Sequence, residues 1–292
     1  MKKKSLRHVF EYIIFLLLTN FLRLFSVDRS ASICSFISRK IGPYLGVSNI
    51  AKNNLKKIYG KEIDIDKTID ELWDNYGRYI GEFPFINSMN KEELKERVMI
   101  TGLNHIQNFQ KREQPFMLFL GHQANWDFMI RRINDLYPKF GIVYRKANNP
   151  YVDQRILSER RANDPDITMI AKGPSGVKDL VRSIKSKSSI AMLVDQKMND
   201  GIDVPFFGKS AMTAPAIARL SLQYDYPIVP LQLIRLGSTS YFEMKVHPPI
   251  QYKKTGDKKK DCYNIMLIIN RKLEDWIREK PAQWFWFHNR WK

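Results

Sequence analysis

The chain is poor in the residues that staple or metallate small proteins. Its two cysteines, Cys34 and Cys262, make no disulfide framework and sit in no nucleophile motif. None of the five histidines (His8, His105, His122, His247, His288) pair at zinc-ligand spacing, so neither a metal nor any other cofactor is expected. A Gly-x-Ser-x-Gly elbow is missing, which removes the usual serine route to an acyl-enzyme. Acidic residues are scarce, 30 against 48 basic, for a net charge of +18 over 292 residues. Such an excess points to an anionic partner: nucleic acid, an anionic membrane or an acidic protein. Zinc-finger spacing, an RNP pattern and a heptad-linked basic region are all absent, so nucleic acid is not the expected partner. Repeats and low-complexity tracts are also absent.

Long apolar runs are few. Residues Val9 to Ser26 are mostly apolar but are interrupted by Glu11, Asn20 and Arg23. As a helix they span roughly 27 Å, just short of a hydrocarbon core. No small-x-small cleavage site follows, and Ile33 before Cys34 is bulky for a lipoprotein site. The reading is an uncleaved anchor over residues 1–26, shallow or barely spanning, preceded by the basic Met1–Arg7. Basic residues on both sides (Lys2 to Lys4; Arg29, Arg39, Lys40) give no firm orientation.

The remainder, 27–292, reads as one domain, mainly helical to residue 98 and α/β from 99 onward. Strands are expected at 115–120, 141–144, 167–170, 190–194, 228–234 and 241–246. Helices are expected near 126–136, 151–162, 176–186, 214–224 and 262–279. The alternation predicts a mainly parallel central sheet flanked by helices.

The most informative stretch is Gln114 to Asp127, QPFMLFLGHQANWD. The apolar run Phe116–Leu120 reads as a strand buried on both faces, ending at Gly121 and delivering His122 to its C-terminal edge. Asn125 suits a helix N-cap, with Asp127 in the first turn. Positions five apart on one helix do not face each other, so His122 meets Asp127 only if it precedes the helix. An imidazole and a carboxylate at the mouth of an α/β sheet suit a catalytic pair, and equally a buried His beside a capping Asp. Arg145, after the strand 141–144, suits an oxyanion or an acidic head group. Asp195 ends the strand 190–194 and is placed to hold Arg145 or bind substrate hydroxyls. Phe206, Phe207 and Gly208 shape an acyl or sugar contact, or belong to the core. The aromatic tail with Trp284, Trp286, Phe287 and Trp291 is expected to close the sheet as an edge strand with part of it exposed.

The pattern Gly-His-x-x-Asn-Trp-acidic, here Gly121 to Asp127, resembles the bacterial lauroyl/myristoyl acyltransferases of lipid A assembly. Val143-Tyr-Arg145 with Asn148-Asn-Pro150 is similar to a second block of that family. Asp195-Gln196, Gly201 and Val204-Pro-Phe-Phe-Gly208 with Ala211 and Thr213 are similar to a third. Pro281 to Lys292 is similar to its C-terminal signature. One departure is the acidic residue, usually Glu in the lipid A branch and Asp127 here. The resemblance implies a glycerolipid-acyltransferase-like fold. It implies His122 as base with Asp127 fixing its tautomer, and Arg145 beside them. Asn125, Asp195, Gln196, Phe207 and Gly208 are then expected around the substrate. It further implies an acyl carrier protein donor, a lipid A precursor as membrane acceptor, and the inner membrane with the catalytic domain facing the cytoplasm. The same chemistry on a glycerol phosphate, ornithine lipid or mannosylated phosphoinositide, or with acyl-CoA, is the neighbouring alternative. A non-catalytic basic membrane protein is the alternative of another class.

Overall fold

A computed structural model describes residues 5–136, 140–163 and 167–291; the basic Met1–Lys4 and Lys292 lie outside them. The first third is helical: α1 (Leu6–Leu22), α2 (Val27–Ile41), α3 (Gly46–Tyr59), α4 (Ile65–Ile86) and α5 (Lys91–Arg97). The rest alternates, as β1 (Val98–Thr101), α6 (Asn104–Lys111), β2 (Met117–Leu120), α7 (Trp126–Leu136), β3 (Phe140–Tyr144), α8 (Pro150–Asn163), β4 (Thr168–Ala171), α9 (Val177–Lys185) and β5 (Ser189–Leu193). Then come β6 (Lys197–Asp203), β7 (Met212–Thr213), α10 (Ala216–Tyr224), β8 (Ile228–Arg235), β9 (Phe242–Val246) and α11 (Lys258–Glu279).

Seven strands form one sheet in the order β1-β9-β8-β2-β5-β3-β4, and β6 and β7 form a small antiparallel pair. Strands β8, β2, β5, β3 and β4 are mutually parallel; β8 meets β9 antiparallel, and β1 follows β9 in parallel. The parallel strands are mainly apolar, β2 wholly so, because helices cover both faces. Side chains alternate between the two covers. Met117, Phe119, Ile190 and Met192 join one core with residues of α10 and α11, whereas Leu118, Leu120, Ala191 and Ile142 join a second with residues of α5, α6 and α7.

The predicted mainly parallel sheet is present, with every expected strand within two residues of its observed limits. Three strands escaped the sequence pattern. β1 is a four-residue edge strand directly after a helix. β6 is polar, Lys-Met-Asn-Asp-Gly-Ile-Asp, with a register break, and shows no alternation. β7 is only two residues long.

One expectation is corrected and a second is left unconfirmed. The aromatic tail is not an edge strand: it makes a 3-10 turn at Pro281–Gln283 and a single bridge between Gln123 and Trp284. Trp286 and Phe287 are successive and both buried, whereas a strand edge would turn one of them to solvent. The N-terminal stretch does form a helix, but among the described residues no helix is long and apolar enough to cross a membrane. Instead α1 lies against the body. Arg23 donates to the Pro84 carbonyl at 2.9 and 3.1 Å, Asn149 donates to His8 O at 2.8 Å, and Phe15 packs edge-on against Phe83.

Candidate functional site

The register of two neighbouring strands assembles the site. Leu120 of β2 pairs with Leu193 of β5, so the residue two positions beyond each strand, His122 and Asp195, emerges at the same height. The chain leaving β2 goes through α7 to β3 on one side, and the chain leaving β5 goes through α10 to β8 on the other. Parallel sheets bind ligands at the carboxyl ends of their strands, where such connections diverge.

Asp195 is fully buried and accepts three hydrogen bonds: from His122 N–H at 2.7 Å, from the His122 ring Nδ1 at 2.6 Å and from Trp284 Nε1 at 2.7 Å. Burial by itself would raise its pKa. The His122 charge and the bonds His122 donates outweigh it and hold the carboxyl well below its usual range. With Nδ1 bound to Asp195, the imidazole keeps Nε2 for the cavity that it lines.

The loop that carries His122 is shaped by the tail. Ala124 sits at φ 49°, a left-handed conformation that turns the chain sharply before α7. Its N–H donates to Gln283 O at 2.8 Å, and Phe285 N–H donates to His122 O at 3.0 Å. The aromatic tail therefore clamps the loop that carries His122.

Asp127 does not take the position expected of it. Its two oxygens accept from Arg160 Nη2 at 2.5 Å and from Tyr79 OH at 2.9 Å, and the imidazole Nδ1 belongs to Asp195. The shorter side chain of Asp, one methylene less than Glu, reaches Arg160 on α8 and Tyr79 on α4. Burial and the Asp127 carboxylate push the Tyr79 hydroxyl well above its ordinary pKa, so it stays a donor. Trp126 separates the two groups, stacked on Tyr79 at 4.4 Å and edge-on to His122 at 5.0 Å between ring centres.

The other expected residues divide by location. Arg145 and Gln196 line the cavity; Arg145 is exposed at its rim and donates to Asn148 at 3.2 Å. Asn125 is fully buried away from it. Asn125 caps α7 as expected, accepting from Asp127 N–H at 3.2 Å, and its amide donates to Glu82 at 2.7 Å. Glu82 in turn holds Arg235 through both oxygens and accepts from Ser240 at 2.7 Å. Asn125 thus ties the start of α7 to Glu82 and does not line the cavity. Asp195 likewise is absent from the cavity lining and touches His122 instead. Phe207 and Gly208 are outside the cavity wall, on a left-handed turn at φ 52° and 67°, where Phe207 N–H donates to Glu274 at 2.7 Å. Sequence reasoning missed Arg160, Tyr79 and Lys172. Arg160 lies in the last turn of α8 beside Arg161, as helix-end basic residues commonly do, and Tyr79 comes from a distant helix, so neither carried a local signal.

The cavity holds about 480 Å³ and passes over the carboxyl ends of β3, β4 and β5. One arm lies on the α10 face, lined by Val143, Ile170, Leu180, Met192 and Ile217, all apolar. The other lies on the α7 face, with Phe83, Trp126, Ile130, Tyr144 and Ile156 beside the Asp127–Arg160 pair. His122 lines the same cavity, as do the exposed Arg145 and Lys172.

The family model described as bacterial lipid A biosynthesis acyltransferase matches residues 1–292. The chain belongs to that family and is an acyltransferase of lipid A biosynthesis. A search of curated proteins gives no match.

Proposed function

We propose that this lipid A acyltransferase moves a fatty acyl chain from acyl carrier protein to a hydroxyl of a membrane-bound lipid A precursor in one step, with His122 as the base. The observation that carries the reading is the imidazole fixed by a buried, anionic Asp195 in the wall of the cavity. The Nδ1–H is committed to Asp195, so Nε2 is the basic nitrogen. It takes the proton of the acceptor hydroxyl as the oxygen attacks the thioester carbonyl. The tetrahedral intermediate collapses, the C–S bond breaks, and the imidazolium gives its proton to the leaving sulfur. Asp195 stabilises the imidazolium between the two transfers.

The all-apolar arm against α9 and α10 suits the donor's acyl chain, which needs no polar partner. The mixed arm against α4, α7 and α8 suits the acceptor, whose sugar and phosphate require the ions and aromatic faces found there. Asp127 and Arg160 are then acceptor-positioning groups beside the reacting oxygen. The exposed place of Arg145 favours an acidic head group over an oxyanion, and the excess positive charge steers an acidic carrier. The face presented by α1 fits the inner membrane. The test is purified protein with carrier-linked donors of several chain lengths and a detergent-dispersed lipid A precursor, read by mass spectrometry. Gain of one acyl chain supports the reading, and an unchanged precursor with every donor refutes it.

A further inference from the structure

We propose that the outer face of α2 and the turn after it, Phe36 to Val47, rests on an anionic bilayer as a second lipid contact beside α1. The argument begins with how α2 packs. Its inward face is small, with Ser30, Ala31, Cys34 and Ser35 buried. They meet α4 at Gly77 and Gly81, where an added Cβ would come within 2.6 Å of Cys34 O and 2.5 Å of Ser30 O. Helices this close leave no space for large side chains between them. The large apolar residues are outside instead: Phe36, Ile37 and Ile41 on α2, then Tyr44, Leu45 and Val47, with Phe36 65% and Tyr44 89% exposed. An ordinary surface helix has the reverse arrangement. Six such residues within one short segment form a patch, not a scatter.

Charge and context choose a lipid surface over a second copy of the chain. Lys40 extends over the Phe36 ring at 5.9 Å, an ammonium beyond an apolar body, as at a head-group boundary. Two copies that each carry +18 repel on approach. α1 shows the same exposure, with Phe10, Ile13, Leu17 and Phe21 outward. It is not long and apolar enough to cross, which suits a helix lying along one leaflet. Its inner edge, Phe15 on Phe83, touches the acceptor arm of the cavity. The inference rests on the reading that the acceptor is a membrane lipid.

The test uses the full chain and its Phe36→Ser/Ile41→Ser/Tyr44→Ser variant, with sedimentation on phosphatidylglycerol–phosphatidylethanolamine vesicles. The variant is expected to bind on the order of a hundredfold more weakly, with unchanged thermal midpoint and unchanged turnover in detergent. Lys40→Glu weakens binding to these vesicles and not to phosphatidylcholine ones. Sedimentation of the triple variant equal to wild type overturns the proposal. So does a wild-type dimer in solution that the variant splits, which would make a second copy the occupant. Because sedimentation does not depend on turnover, an inactive wild type refutes the acyl-transfer reading while the vesicle result still decides the surface.

Discussion

Replacing Asp195 by Asn removes one charge and reverses one hydrogen bond at the centre of the site. The carboxylate accepts from the His122 ring, from the His122 main chain and from Trp284, all within 2.7 Å and all out of reach of water. An Asn in the same place has one acceptor oxygen and one donor NH2. The oxygen cannot serve three donors, and the NH2 faces an N–H unless the imidazole changes tautomer. If it changes, Nδ1 accepts from the substituted amide and Nε2 carries the proton, so the base is lost. The equivalent change in a serine-protease triad costs about 10⁴ in kcat, and a loss of about that size is expected here. Each buried donor left without an acceptor costs about 1–3 kcal/mol, so a drop in stability of a few kcal/mol accompanies it. The assay is steady-state turnover of wild type, Asp195→Asn and Asp195→Glu. Circular dichroism melting separates misfolding from a folded, inactive enzyme. A folded Asp195→Asn variant within tenfold of wild-type kcat refutes the assignment of Asp195 as the imidazole's partner.

Leu180→Trp, which fills the all-apolar arm, shifts the preferred donor to shorter chains, with kcat/KM falling roughly fourfold per methylene that no longer fits; a chain-length profile from mass spectrometry shows whether it does. Arg145→Ala raises the acceptor KM and leaves kcat nearly unchanged if the guanidinium holds a head group, whereas a fall in kcat alone assigns it to the oxyanion. Arg235→Met leaves the buried Glu82 carboxylate without its cation and costs about 3–5 kcal/mol in urea unfolding. Burial pushes His288 down to about 4. Between the unfolded value near 6.5 and about 4 the unfolded chain therefore binds the extra proton, so stability falls as pH drops through that window, and His288→Gln flattens the dependence in melts from pH 7 to 4.

Much of this fold was legible because the parallel strands advertise themselves. Phe116–Leu120 and Ile190–Val194 are unbroken apolar runs that only a doubly covered sheet can hold, and Ile228–Ile234 is broken only at Pro230 and Gln232. The position of His122 followed from the end of its strand and from the Asn125 cap. The partner of His122 was not legible, because it depends on the pairing of Leu120 with Leu193, a register set across 73 residues. The sequence marks Asp195 as an edge residue placed to hold Arg145 or bind substrate hydroxyls, for want of that register. The proximity of Asp127 in sequence suggested the pair that the structure divides between Arg160 and Tyr79. The tail misled for a related reason. Its Trp and Phe residues pattern like a strand in part, but their burial comes from packing against Tyr59, Trp73 and Phe206 on distant segments, contacts no periodicity records.

The central claim is that a base at His122, and no covalent relay, transfers the chain. Purified protein given a carrier-linked donor and a lipid A precursor should add one acyl chain to the precursor. The intact protein should show no acyl adduct when donor is supplied alone, and a folded His122→Ala variant should give no product. Acylated precursor formed by His122→Ala at the wild-type rate, or a stoichiometric acyl adduct on the wild-type chain, would contradict it.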